Sequence, residues 1–360
     1  MKLIFGFKSA QLAGNADWEY AETQPLGGSE TALLRMAVTF RDLGHEVEVI
    51  NYPPSIPEYQ ALLGSKQCDV FVNSRRPDAL LLLQRLPGRV NYYWAHDDAD
   101  QPLLTALVDN ERWRKAFYRR LTGLFLLSYY QRAAWLSKLS LPLEKSHLIT
   151  NPIPSERFTP DLSRLRARAP RAYFASTPYR GLSQLLQGWP LVRRRVPNAE
   201  VHVYSSLAVN GEPETEQSLQ LYERARRTPG VVFHGAVSQK ELREAAAQAR
   251  VLAYPCVFPE TSCIAAMEAM ASGAVVVATE LGALPETAWR NPLQPLTEGW
   301  LERWAEDVVR VFLDDDHYED LALQNVHISR CYDARVVARR MGRVFDADLA
   351  RSALDAAGKG

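Results

Sequence analysis

Short runs rich in valine, isoleucine, phenylalanine and tyrosine recur along this chain, and stretches with helical spacing separate them. In the first half the runs are "KLIFGF", "EVEVINY", "DVFVNS", "RVNYYWAH", "GLFLLS" and "HLITN", with a helical stretch from Ser29 to Leu43 after the first. Parallel neighbours cannot be joined by a tight hairpin and need a crossover, usually a helix, so this alternation predicts βα units on a parallel sheet. The rhythm stops at "TNPIPSERFTPDLSRLRARAP", residues 150–170, where four prolines break regular structure. It resumes with "AYFAS", "EVHVYSS", "VVFHGA", "VLAYPC" and "AVVVAT". A chain of 360 residues is too long for one ordinary core. The boundary therefore falls in the proline-rich stretch, giving domains at 1–152 and 153–330. After about residue 297 helices dominate: Trp304, Val308 and Val311 share one face, and Val336, Val337, Met341 and Phe345 another. Residues 331–360 are expected to form a helix packing back toward the first domain, with the terminal "AAGKG" frayed. No repeat of roughly 20 to 50 residues stands out beyond the doubling of the βα domain.

Forty-two basic residues balance 42 acidic ones, so no global field favours nucleic acid as a partner. Cys68, Cys256, Cys263 and Cys331 include no pair at zinc or redox spacing and are too few for a secreted disulfide framework, which points to a reducing cytoplasm. The N-terminus has too short an apolar run for a signal peptide, and no run of about 18 apolar residues occurs. The segment "ERWRKAFYRRL", residues 111–121, interleaves five basic residues with Trp113, Phe117, Tyr118 and Leu121. Arg120 interrupts the apolar stripe, so the segment reads as a surface helix whose Trp113, Phe117 and Leu121 pack on the core, with peripheral contact at the inner membrane surface as the alternative.

In open parallel sheets ligands collect beyond the carboxyl ends of the strands. Glu260 follows the strand "VLAYPC", just before a helix expected to start near Ser262, and Glu268 lies within that helix. The free amides of a helix start favour a phosphate. Two carboxylates beside a phosphate would be repelled unless they bind hydroxyls. A nucleotide sugar satisfies both, with its diphosphate at the helix start, sugar hydroxyls on Glu260 and ribose hydroxyls on Glu268. After the fourth strand, His96 precedes Asp97, Asp98 and Asp100, an Asp-x-Asp group of the kind that can hold a divalent metal. Arg75 and Arg76 follow the third strand, where they can meet an anionic acceptor or cap the structure. Gly27, Gly28 and Ser29 turn into a helix without the G-x-G-x-x-G of dinucleotide-binding domains, which argues against a dehydrogenase.

"PETSCIAAMEAMASGAVVVAT" resembles the glutamate, seven residues, glutamate motif of family-4 retaining glycosyltransferases, the glycosyl transferases group 1. "PLGGSETALLRMAVTFRDLGHEVEVI" is similar to their glycine-rich turn and first helix, "TNPIPSERF" to their interdomain segment, and "FHGAVSQKELREAAAQARVLAYP" to the stretch before the motif. The resemblance implies an α/β chain of the GT-B fold: two Rossmann-like βαβ domains with parallel sheets facing a central cleft, and C-terminal helices. It implies an acceptor-side first domain, a nucleotide-sugar-binding second domain, and a hexosyltransferase that works with retention, without metal or cofactor. The donor would be a nucleoside diphosphate sugar, UDP- or GDP-linked. The acceptor would be a glycan, a lipid-linked or a small molecule, in polysaccharide biosynthesis. The Asp97 to Asp100 stretch then reads as acceptor-side or solvated. A GT-B epimerase of nucleotide sugars and a non-catalytic sugar-nucleotide-binding scaffold are the alternatives.

By this resemblance Glu260 takes the donor sugar, Glu268 the ribose, and His96 a further sugar contact. Arg180, in "AYFASTPYRGLSQLL", stands where the family has a phosphate-binding lysine, while the usual companion arginine is replaced by a small residue near Ser176. Thr261, Ser262 and Cys263 replace the family's Gly-Phe-Gly and add side chains beside the phosphate. Gly28 and Ser29 add a second amide cluster. Loops around residues 8–26, 204–211 and 234–238 are expected to set sugar, base and acceptor.

Overall fold

The structure, a computed structural model, describes residues 1–9, 17–52 and 55–357. Residues 10–16 of the loop at 8–26, and residues 358–360 of the terminal "AAGKG", lie outside the described residues. The chain divides into two compact units, the first comprising Met1–Glu19, Ser29–Pro152 and Ala334–Gly360, the second Tyr20–Gly28 and Ile153–Asp333.

The first unit is built on β1 (Lys2–Phe7), β2 (Glu46–Asn51), β3 (Cys68–Ser74), β4 (Gly88–Trp94), β5 (Gly123–Leu126) and β6 (Ser146–Leu148), in the order β2-β1-β3-β4-β5-β6. Every pairing is parallel. The central strands are buried on both faces, which is why they read as continuous apolar runs. One face packs on the C-terminal helix Ala334–Ala357, where the Phe345 ring lies 5.1 Å from Tyr92 and 5.8 Å from both Phe40 and Phe125. The Tyr92 hydroxyl donates to Asp348 Oδ2 at 2.7 Å. On the opposite face Tyr93 meets Phe117 edge-on at 5.1 Å and Trp135 at 5.9 Å. Of the basic segment, the helix Glu111–Arg120 buries Phe117, and Leu121 follows it into the core. Trp113, expected to pack there too, is exposed instead: it lies on the same face as Phe117 but one turn earlier, in the first turn of the helix.

The second unit is built on β7 (Arg171–Ala175), β8 (Glu200–Tyr204), β9 (Val231–Phe233), β10 (Val251–Tyr254), β11 (Val275–Thr279) and the two-residue β12 (Leu293–Gln294), also all parallel, in the order β12-β11-β10-β7-β8-β9. Trp189 and Trp304, from the helices Leu182–Arg195 and Trp300–Leu313, are fully buried beside this sheet, and Trp304 Nε1 donates to the Val277 carbonyl at 2.9 Å. The chain runs outward from β7 through β9, then begins again at β10 and runs the other way. The order therefore reverses between β7 and β10, and side chains at their carboxyl ends border a ready-made crevice.

Residues Tyr20–Gly28 go with this second unit although they precede the proline-rich boundary. Glu22 is buried and finds its cation, Arg243, at 2.5 Å, and Gln239 Nε2 reaches the Leu26 carbonyl at 3.4 Å. At the other end Tyr332 accepts from the Ile153 amide at 2.9 Å, so the last residues of the second unit are tied to its first.

Candidate functional site

At the β7/β10 switch point two side chains from loops 80 residues apart are brought together. Arg180 Nη1 donates to both carboxylate oxygens of Glu260, at 2.9 and 3.0 Å. Glycine makes each approach possible. Gly181 has φ 123°, and a Cβ there would stand 2.4 Å from the Pro255 carbonyl oxygen. Gly282 has φ 62°, and a Cβ there would stand 2.5 Å from the Glu260 carbonyl oxygen, which the Ala283 amide binds at 2.7 Å. Tyr254, the last residue of β10, donates its hydroxyl to Glu260 Oε1 at 2.6 Å and lies 3.2 Å from Ser176 Oγ. The Arg180 guanidinium rests 4.5 Å from the centre of the Phe258 ring and 5.8 Å from that of Tyr179.

The electrostatics follow from burial. Desolvation pulls the Arg180 guanidinium down, but the Glu260 carboxylate outweighs it and holds Arg180 well above its ordinary value. Burial, reinforced by Glu260, pushes the Cys256 thiol to about 12, and burial holds Cys263 well above its ordinary value, so neither is a thiolate nucleophile at neutral pH. The sequence reading gave Glu260 and Arg180 separate tasks on the sugar and the diphosphate. In the structure they form one neutralised pair, in which, among the described residues, Glu260 Oε2 accepts a single hydrogen bond and Oε1 accepts two.

Three buried polar atoms, Arg180 Nε of the pair itself and, from residues close to it in the chain, Thr177 Oγ1 and Ser262 Oγ, have no hydrogen-bond partner among the described residues. Each carries a donor, and unpaired buried donors cost stability unless a ligand or water takes them. The helix after Glu260 runs Ile264–Ala271, two residues later than expected, with Cys263 at the N-cap position and no side-chain cap. The hydroxyls of Thr261 and Ser262 lie before the cap rather than on it. Thr261 and Cys263 are buried and Ser262 is half-buried. Glu268 sits within the helix, and its charge, after burial, helps hold the Tyr173 phenol well above its ordinary value. The glycine turn reaches the same helix start, since a Cβ on Gly28 would lie 3.7 Å from Ile264 Cδ1.

The other expected residues lie in the first unit. Arg75, with φ 60°, occupies the left-handed region and aims its guanidinium at Asp97, pairing at 2.8 and 2.9 Å, with Ser29 Oγ at 3.2 Å. Ser29 in turn donates to Glu30 at 2.9 Å. Arg76 pairs with Asp78, so both guanidinium groups are already partnered by carboxylates. His96 packs 4.7 Å from the Trp94 ring. Burial, with the Arg75 charge behind it, pushes His96 down to about 3, so the imidazole is neutral at pH 7. Asp97 and Asp98 are buried rather than solvated because Arg75 neutralises the first and the Ala99 amide binds the second at 2.7 Å; Asp100 pairs with Lys138. Among the described residues no group of three His, Cys, Asp or Glu side chains is placed to hold a metal ion. None of the described helices is long and apolar enough to cross a membrane.

Tyr254, Phe258 and Thr177 were missed in the sequence. A tyrosine closing an otherwise apolar strand was the available signal, because a buried phenol seeks a partner.

Residues 171–314 match the model of the family Glycosyl transferases group 1, which bears out for that stretch the resemblance found in the sequence. The chain is 28% identical over 187 residues to an MMP alpha-(1->4)-mannosyltransferase of Mycolicibacterium hassiacum, covering 52% of this chain and 44% of that protein. It is 28% identical over 207 residues to a GDP-mannose-dependent alpha-(1-6)-phosphatidylinositol monomannoside mannosyltransferase of Mycobacterium tuberculosis, covering 53% of this chain and 52% of that one. The chain thus spans about half the length of the curated relatives it matches. Anabaena HepE, solved with UDP and glucose, superposes with a TM-score of 0.72 at 17% identity over 96% of this chain and 100% of that one. Sucrose-phosphate synthase from Thermosynechococcus elongatus gives 0.74 at 13% identity over 98% and 100%. The architecture is GT-B, two parallel-sheet Rossmann-like units, as the resemblance implied.

Proposed function

We propose that this protein is a retaining glycosyltransferase that moves a sugar from a nucleoside diphosphate donor to a hydroxyl acceptor. The observation that carries the reading is the Arg180–Glu260 pair at the switch point, together with the buried donors on Thr177, Arg180 and Ser262 that lack acceptors among the described residues. A diphosphate supplies those acceptors, the single-bonded Oε2 of Glu260 takes a sugar hydroxyl, and Glu268 takes the ribose. Charge growing on the departing diphosphate is met by Arg180 and by the amides that open the helix Ile264–Ala271. The diphosphate then accepts the acceptor's proton on the face it leaves, which gives retention without a protein nucleophile. The two buried thiols support that absence. No cofactor enters the reading, and no metal is assigned to the Asp97 to Asp100 stretch, because each of these aspartates already has its own partner. His96, neutral at pH 7, is read as a further sugar contact and Ser29 as a donor-side one. Arg75, Arg76 and Asp97 are read as acceptor-side through the paired surface they build. A glycan or lipid-linked acceptor and a cytoplasmic setting complete the proposal.

The relatives direct the choice of probes: the mycobacterial protein is named for GDP-mannose, and HepE was solved with UDP. A thermal-shift series with UDP-, GDP- and ADP-sugars, followed by turnover of any stabilising donor with polyol, sugar and lipid-linked acceptors, tests the reading. Stabilisation by one donor class together with glycosyl transfer is the expected result. Stabilisation without turnover supports a scaffold, and nucleotide release without transfer supports an epimerase.

A further inference from the structure

We infer that the turn Thr177–Arg180 is a two-donor clamp for a phosphoryl group, in which the Thr177 hydroxyl supplies the hydrogen bond that a second cation would otherwise provide. The inference rests on the nucleotide-sugar reading and adds a residue to it. Thr177 is 5% exposed, and its Oγ1 is fully buried with no partner among the described residues. Its position makes this notable. Thr177 stands at the N-cap of the turn Pro178–Arg180, where a threonine hydroxyl ordinarily binds a nearby amide, yet it makes no such bond. Its carbonyl instead accepts from the Arg180 amide at 3.1 Å, which fixes the turn. The same turn carries the second unpartnered buried donor, Arg180 Nε, on a guanidinium whose Nη1 is held by Glu260. Two N–H or O–H groups from one short turn at the β7/β10 switch point therefore lack acceptors among the described residues, one of them on the guanidinium that Glu260 holds through Nη1 alone. An anionic oxygen of a diphosphate supplies those acceptors; a sugar hydroxyl can serve one donor but brings no charge to the free edge of the guanidinium.

A hydroxyl buried without a partner destabilises the empty protein and strengthens binding of the ligand that satisfies it, so removing it has opposite effects on the two. Thr177→Val keeps the shape and deletes the hydroxyl, while Thr177→Ser keeps it. The full chain is titrated calorimetrically with UDP, GDP, inorganic pyrophosphate and the phosphate-free nucleosides, and its melting temperature is read without ligand. Thr177→Val should melt at or above the native temperature yet bind the stabilising nucleoside diphosphate and pyrophosphate about tenfold more weakly. Thr177→Ser should stay within about twofold of native, as should the affinity of either variant for nucleosides. A valine variant that binds diphosphate like the native chain overturns the clamp, as does one that melts lower, since the hydroxyl would then be serving the fold. If the native chain binds no nucleoside diphosphate or nucleotide sugar at all, the parent reading fails and the clamp with it.

Discussion

Lowering the pH from 7 to 5 should remove about 2 kcal/mol of unfolding free energy through His96 alone. In the fold its imidazole is neutral: burial, reinforced by the Arg75 guanidinium, holds the pKa at about 3. The unfolded chain titrates near about 6.5. Between those values the unfolded state binds a proton that the folded state refuses. Stability is therefore lost as pH falls through 6.5, and the loss levels off only below the folded value. At pH 5 the folded ring is still neutral while the unfolded one is almost wholly charged, so the difference is about 1.5 pH units at 1.36 kcal/mol each. That figure hardly depends on how far below pH 5 the folded value lies. His96 is part-exposed as a residue, but its Nε2 is shut off from solvent, so the ring still bears the desolvation that keeps it neutral. His45, His147, His202 and His234 are also held below the ordinary value by burial, so the raw acid sensitivity is a sum. Urea unfolding of the native chain and of His96→Gln at both pH values, followed on the transition of the first unit, isolates one member of it. The variant should lose about 2 kcal/mol less than the native chain on acidification. Equal losses in the two proteins would refute the claim that burial keeps this imidazole neutral.

Four further outcomes follow from the second unit. Glu260→Ala should lower stability by about 3 kcal/mol, measured by urea unfolding, because it strands the Arg180 charge; a loss below about 0.5 kcal/mol would mean that the pair is solvated. Arg180→Ala should lower kcat roughly 100-fold with a smaller effect on donor affinity, and Arg180→Lys should recover part of the loss; near-normal turnover in the alanine variant would remove Arg180 from the chemistry. Glu268→Ala should weaken nucleoside diphosphate binding by about 1.5 kcal/mol or more in calorimetry, and unchanged affinity would end its assignment to the ribose. Gly181→Ala should destabilise by more than about 2 kcal/mol, since both its φ and the Pro255 carbonyl oppose a Cβ, and an unchanged melting curve would show that the turn can move aside.

The strands were legible because parallel strands buried on both faces leave continuous apolar runs that nothing else in the chain imitates. β12 escaped because two residues, Leu293 and Gln294, carry no periodicity. The helix start was misplaced because Ser262 looks like a cap, whereas Cys263, which caps nothing, holds the position. Glu260 and Arg180 were each visible as charged residues beyond a strand end. Their pairing was not, because it depends on two glycine-permitted loop paths and not on any spacing in the sequence. The attachment of Tyr20–Gly28 to the second unit was hidden for a similar reason: Glu22 and Arg243 are ordinary surface residues until the fold buries one against the other.

The bond between Tyr92 and Asp348 joins residues 256 positions apart, and with Phe345 it closes one face of the first sheet. Synthesis proceeds from the N-terminus, so a ribosome has already released all six strands of that sheet when the helix Ala334–Ala357 is still untranslated. Until then Phe40, Tyr92 and Phe125 lack the Phe345 ring that packs on them in the finished protein. Newly made chains therefore carry an incomplete first unit for as long as the second takes to emerge. A nonsense codon between Leu148 and Ala334 would leave that hydrophobic face bare and turn the truncated product into a client for holdase chaperones or for degradation.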